Sequence, residues 1–100
     1  MRPLGLRRGE PAAWDGRFEI IAAQDGLEVR ALAGLAARLP RAQRRALAAL
    51  PADVRPGLPA IVGPGDGVSC PLLGEAPAVA VELVAARLEA AAGLVEREPD

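Results

Sequence analysis

Arg41, Arg44 and Arg45 fall within a ten-residue stretch, Arg41 to Leu50, that follows Pro40 and stops at Pro51. Proline suits the first turn of a helix and ends one that it follows, so a helix of about three turns is expected here. At about 100° per residue, Ala46, Leu47 and Leu50 come together and the three arginines gather on the opposite side. Three cations on one helical face can track a phosphate backbone, an interaction carried mainly by charge and weakened by salt. Arg38, Arg17 and Arg55 are candidates to join that surface. The plainer reading is a solvated face, which most charged helix faces are.

Other residues that could do chemistry have simpler explanations. "GPGDG", Gly63 to Gly67, lacks the Gly-Lys-Ser/Thr ending of a phosphate loop, and a strand-like "VSC" follows it where a helix is needed. It reads as a turn. Cys70 sits in an apolar run without a local base, as a small buried hydrophobe does. Asp15, Glu19 and Glu28 could form an acid/base pair, but Arg17 and Arg30 are near enough in sequence to be their charge partners. With two aromatics in the chain, Trp14 and Phe18, there is no base-stacking platform of the single-strand-binding kind.

The absences narrow the function further. The 100 residues include no His, Lys, Tyr, Thr or Asn, and one Ser and one Cys. That removes the imidazole base, the Schiff-base amine and the phenol. A lone thiol makes no internal disulfide and founds no zinc site, so no metal is expected and a reducing cytoplasm is the simplest compartment. No apolar run approaches the roughly 20 residues that span a bilayer, and no export signal is expected. All twelve basic residues are Arg, which with 22 Ala, 11 Gly and 10 Pro suggests the codon bias of a G+C-rich genome. The net charge of -1 hides an asymmetry: residues 1–55 hold ten Arg and six acids, +4, and residues 56–100 two Arg and seven acids, -5. A basic half attracts nucleic acid, although the two halves can equally attract each other.

The elements that must position these residues follow from periodicity. Phe18, Ile20 and Ala22 alternate with Arg17, Glu19 and Ile21, and Leu27, Val29 and Ala31 alternate with Glu28 and Arg30, with Asp25-Gly26 between. Asp-Gly favours a type I′ turn, so a hairpin is expected that sets Ala22 opposite Val29 and Ile20 opposite Ala31. "LPAIV" and "VSCPLL" on either side of "GPGDG" predict a second hairpin, short or at a sheet edge because Pro59 and Pro71 cannot donate to a ladder. Ala33 to Leu39 is a short helical turn or a loop. The longest periodic segment, Pro77 to Ala92 with Gly93 as its cap, is expected to be a helix with an apolar stripe of Val81, Val84, Leu88, Ala91 and Val95. Asp15-Gly16 is a turn, and Trp14 is expected to fold over the same apolar face as Phe18.

Four phrases, "WDGRFEI", "LPADVRPGLPAI", "VSCPLL" and "RLEAAAGLVEREP", in this order resemble the C-terminal region of tRNA(Ile)-lysidine synthetase of the alphaproteobacterial type, over Arg7 to Pro99. Enzymes of that family use ATP to activate the wobble cytidine of an isoleucine tRNA and attach lysine, through an N-terminal adenylating domain with an SGGxDS loop. No SGGxDS occurs here. The resemblance therefore implies a non-catalytic accessory domain, with ATP and lysine handled elsewhere in the parent. The family often places an aromatic after "LPA", where this chain has Ile61-Val62.

Together these readings give an α+β domain: a small antiparallel sheet from two hairpins, packed against one long C-terminal helix and a shorter Arg-rich helix. One domain is expected over residues 1–100, with 1–13 and 96–100 as flexible ends. Its expected partners are tRNA, through Arg17, Arg38, Arg41, Arg44, Arg45 and Arg55, and the catalytic domain of the parent; a homodimer stays open and no membrane is involved. The alternative function is structural, docking through the Pro77 to Val95 helix.

Overall fold

The computed structural model describes residues 2–65 and 67–83. It has seven strands, β1 (Leu4–Leu6), β2 (Ala12–Trp14), β3 (Phe18–Ala22), β4 (Leu27–Ala31), β5 (Pro59–Val62), β6 (Val68–Ser69) and β7 (Ala78–Glu82), and one α-helix, α1 (Arg41–Ala48). Short 3-10 turns occupy Ala36–Arg38 and Arg55–Gly57. The strands form two antiparallel sheets, in the orders β1-β4-β5-β6 and β2-β3-β7.

The expected α+β architecture is therefore corrected: among the described residues the fold is mostly sheet, with one α-helix. The first correction concerns the hairpin across Asp25-Gly26. The strands have the expected extents, Phe18–Ala22 and Leu27–Ala31, but they lie in different sheets and do not pair. β3 is flanked by β2 and β7, β4 by β1 and β5. Their apolar faces bury one another across the core, where Ile20 and Val29 are both fully buried. One-sided alternation demands that a face be covered. Pairing the two strands edge to edge and stacking them face to face satisfy that demand alike.

The hairpin signal belongs to the other Asp-Gly. Asp15 and Gly16 both have positive φ, 57° and 65°, as a type I′ turn requires, and they join β2 to β3 with Trp14 opposite Phe18. At the second Asp-Gly only Gly26 has positive φ. Asp25 instead accepts the backbone N–H of Arg8 at 2.9 Å, and Ala23 donates to the Pro77 carbonyl at 2.8 Å. These bonds hold the crossover between sheets.

The second correction concerns the long helix. Ala78–Glu82, the start of the expected Pro77 to Ala92 helix, is strand β7, antiparallel to the whole of β3 from Ala22↔Ala78 to Phe18↔Glu82. Val79 and Val81 read equally as period two, and valine packs well on a pleated sheet. The free edge of β3 decides between the periods. The remainder of that segment, and the 96–100 end, lie outside the described residues. Within residues 1–13, expected as an end, the chain forms β1 and contributes Ala12 and Ala13 to β2, strands too short to show a period.

Two apolar clusters result, one on each side of the first sheet. Leu6, Leu27, Val29 and Ile61 of the first sheet meet Trp14, Phe18, Ile20, Ala22 and Ala78 of the second. Leu32, Leu39, Leu47 and Leu58 cover Ala60, Val68 and Cys70 on the other side of the first sheet. Strand β5 is thus buried on both faces, Ile61 toward one cluster and Ala60 toward the other. The "GPGDG" hairpin is as expected, with Val62 opposite Val68 and the Gly63 N–H donating to Gly67. Its second strand, β6, is the short edge that the prolines imply.

Candidate nucleic-acid interface

Helix α1 starts directly after Pro40 and lies on the outer side of the first sheet, held there by one apolar and one polar anchor. Leu47 is buried in the second cluster. Four residues earlier, on the same face, Gln43 is 3% exposed. Its Oε1 accepts the Cys70 backbone N–H at 2.7 Å, and its Nε2 donates to the Glu75 carbonyl at 2.6 Å. Gln43 was missed in the sequence, although its place one turn before Leu47 marks it as an inward polar residue.

That docking leaves Arg41, Arg44 and Arg45 exposed, and none of their side chains has a hydrogen bond or ion pair to a described residue. Two of them sit in the first turn, which has no acidic residue and no side-chain cap. Acids in a first turn typically stabilise a helix by about 0.3–1 kcal/mol each, so cations there work against it. Local stability does not explain Arg41 and Arg44.

The other three candidates are placed differently. Arg55 is half-buried and caps α1 from below: its Nε donates to Leu50 O at 2.9 Å, and its Nη2 to Ala48 O at 3.1 Å and Leu50 O at 2.7 Å. The orphan carbonyls of a helix C-terminus are suited to such a cation. Arg17, in the β2–β3 turn, pairs with Asp15 at 3.1 Å and donates through Nη2 to the Gly57 carbonyl at 2.9 Å. Its guanidinium carbon lies 5.3 Å from the Phe18 ring centroid. So Arg17 attaches to the same Arg55–Gly57 turn that carries Arg55, an approach across 40 residues that the sequence does not signal. Arg38 is exposed in the 3-10 turn before α1 and has an interaction of its own.

Between α1 and the two 3-10 turns runs an open groove made of two adjoining hollows of about 270 and 260 Å³, which share Ala36, Leu47 and Arg55. Arg44 lines one end, and Ala33, Gly34, Ala52 and Pro56 line the other. Among the described residues no carboxylate lines either hollow.

Most of the remaining candidates have structural partners. Asp15 pairs with Arg17 and Glu28 with Arg30, as expected for charge partners, whereas Glu19 is exposed on β3 with no ion pair to a described residue. Cys70 is free and fully buried, and burial pushes its thiol above the ordinary range despite backbone hydrogen bonds from Leu72 and Leu73. Trp14 is buried and stacks on Phe18 with ring centroids 6.2 Å apart, so the aromatic pair is a folding device. Among the described residues no group of acids, Cys or His could hold a metal ion, and no helix is long and apolar enough to cross a membrane.

These features define a small β-rich domain with a cationic helical layer. The comparisons with known proteins agree with the resemblance of its phrases: the chain is 39% identical, over 102 aligned residues, to a tRNA(Ile)-lysidine synthase of Caulobacter vibrioides. The match covers 95% of this chain and 25% of that protein, so the chain spans about a quarter of its relative's length. No family model matches the chain, and no solved structure does.

Proposed function

We propose that this chain is a tRNA-contacting accessory domain of an ATP-dependent ligase that attaches lysine to the wobble cytidine of an isoleucine tRNA. ATP and lysine would be bound by a catalytic domain elsewhere in such a protein, and the setting would be cytoplasmic. The similarity to a tRNA(Ile)-lysidine synthase supports the parent activity. The observation that carries the tRNA contact is the exposed trio Arg41, Arg44 and Arg45, two of which, Arg41 and Arg44, sit in a first turn that they do not stabilise. Phosphate oxygens are the partners such cations fit, with Arg38 beside them. Arg17 and Arg55 support this surface from beneath through Gly57 and the α1 carbonyls.

The test is fluorescence anisotropy with tRNA across a salt series. Arg44→Glu combined with Arg45→Glu should weaken binding and flatten the log-log salt slope by about 1.4 to 1.8, two contacts' worth, with the circular dichroism spectrum unchanged. Unchanged affinity and slope would reduce the trio to a solvated face.

A second reading is favoured by one observation. The outer face of β3 and β7 exposes Ile21, Val79 and Val81, at 38%, 62% and 47%, with Ile21 directly opposite Val79. With three-quarters of the relative's length unmatched by this chain, the catalytic part of the same polypeptide is the natural cover for that face. Docking would then use the strand and not the expected helix. Val79→Glu in the full-length protein should loosen the two parts toward protease cleavage between them, and an unchanged cleavage pattern would refute it.

A further inference from the structure

We propose that the groove between α1 and the two 3-10 turns seats one unpaired nucleotide of an RNA strand. The inference rests on the tRNA reading above and adds a subsite to it. A flat cationic face suits a duplex, whose phosphates lie on the outside. The groove is a different kind of surface. Its floor is apolar, Leu32 and Leu47, and its walls are the small residues Ala33, Ala36 and Ala52, which leave a slot where larger side chains would fill it.

Two arginines line the slot, and among the described residues no carboxylate does. Arg55 is fixed in place by three hydrogen bonds to the Ala48 and Leu50 carbonyls, so no order has to be imposed on it when an anion arrives. Arg44 stands at the other end, on the first turn of α1, and belongs also to the exposed trio. A ligand that fits must therefore be anionic at its edge and flat and apolar at its centre. A splayed-out nucleotide has that chemistry: the base lies on the Leu and Ala floor and its phosphates meet Arg44 and Arg55. An isolated phosphate would leave the apolar floor unused. The hollows, about 270 and 260 Å³, fall just below the roughly 300–1,000 Å³ typical of small-molecule sites, a scale that suits one nucleotide and not a helix.

The test compares a short single-stranded RNA with a blunt RNA duplex, each binding to the 100-residue chain. Ala33 and Ala52 are exposed residues of the slot, so Ala33→Leu with Ala52→Leu narrows it at little risk to the fold. The expected result is about a tenfold loss of affinity for the single strand and no change for the duplex. Arg44→Glu with Arg45→Glu should weaken both. Hydrogen exchange gives a readout free of any substitution: the single strand should protect the backbone around residues 32–36 and 52–56, and the duplex should not. An equal loss for strand and duplex, no loss for the strand, or absent protection would overturn the groove while leaving the arginine face standing. AMP binding as tightly as the oligonucleotide would assign the slot to a free mononucleotide and also overturn it. Failure of the parent chain to bind either RNA would instead sink the tRNA reading itself.

Discussion

Replacing Gln43 by alanine should destabilise this domain more than any other single change to a polar side chain of α1. The amide is almost fully buried, and it is the polar clamp between α1 and the segment after β6, through Cys70 N–H at 2.7 Å and Glu75 O at 2.6 Å. In Gln43→Ala the Cys70 N–H keeps its place beneath the helix and loses its acceptor. A buried donor left unsatisfied costs about 1–3 kcal/mol. Glu75 is exposed, so water can replace the bond to its carbonyl and the net loss there is nearer 0.5–1 kcal/mol. The sum is about 1.5–4 kcal/mol, a large share of the roughly 5–15 kcal/mol available to a domain. For a domain of about 100 residues that corresponds to a fall in Tm of roughly 6–30 °C. Buried Trp14 supplies a fluorescence probe of the opposite cluster, and far-ultraviolet circular dichroism follows α1, so urea titrations read by both report whether the helix detaches alone or with the core. Gln43→Glu sharpens the test. A protonated carboxyl can still donate to Glu75 O, whereas a carboxylate would face that carbonyl with like charge. Burial and the carbonyl both raise the folded pKa above the ordinary value of about 4.3, so this variant should be most stable below that pH and lose stability as pH rises through the folded value. A midpoint for Gln43→Ala within error of the parent, or a Gln43→Glu variant indifferent to pH between about 4 and 7, would refute the clamp.

Two further predictions concern the cores. Trp14→Ala should cost about 3–5 kcal/mol by urea titration followed by circular dichroism, because Trp14 is 2% exposed and packed on Phe18. Trp14→Phe should cost far less than that, since the indole Nε1–H is buried without a partner among the described residues and phenylalanine removes that unmet donor; equal losses for the two would place the energy in a hydrogen bond instead of packing. Cys70, whose thiol is raised by desolvation from a value of 9.0, stays neutral in the fold where the unfolded chain ionises. The folded state then holds the extra proton, so stability should be level below about pH 9 and fall above it, and Cys70→Ala should remove that slope in urea midpoints taken from pH 8 to 10. The same burial should keep the thiol unreactive to an aromatic disulfide reagent at neutral pH until the chain unfolds.

The amino-acid sequence by itself determined what this domain is made of and where most of its pieces run. Alternation marked β3 and β4 to the residue, Pro40 and Pro51 bracketed α1, and "GPGDG" between two apolar runs announced the β5–β6 hairpin, because each depends on neighbours a few residues away. Residue types alone also named Arg17 and Arg30 as charge partners of the nearby carboxylates, and the structure pairs them with Asp15 and Glu28. The tertiary structure decided which strands are neighbours. A strand with one apolar face demands only that the face be covered, so nothing local could tell that β3 and β4 stack across the core, or that Ala78–Glu82 would complete the edge of β3 instead of opening a helix. The candidate surface divides in the same way. Arg41, Arg44 and Arg45 share a face by helical geometry, legible from spacing, whereas the Arg55–Gly57 turn that receives Arg17, the clamp of Gln43 on Cys70 and Glu75, and the groove lined by Ala33 and Ala52 arise only when segments distant along the chain are packed together. Burial energy rewards any arrangement that hides the apolar set, and the choice among such arrangements belongs to the whole chain at once.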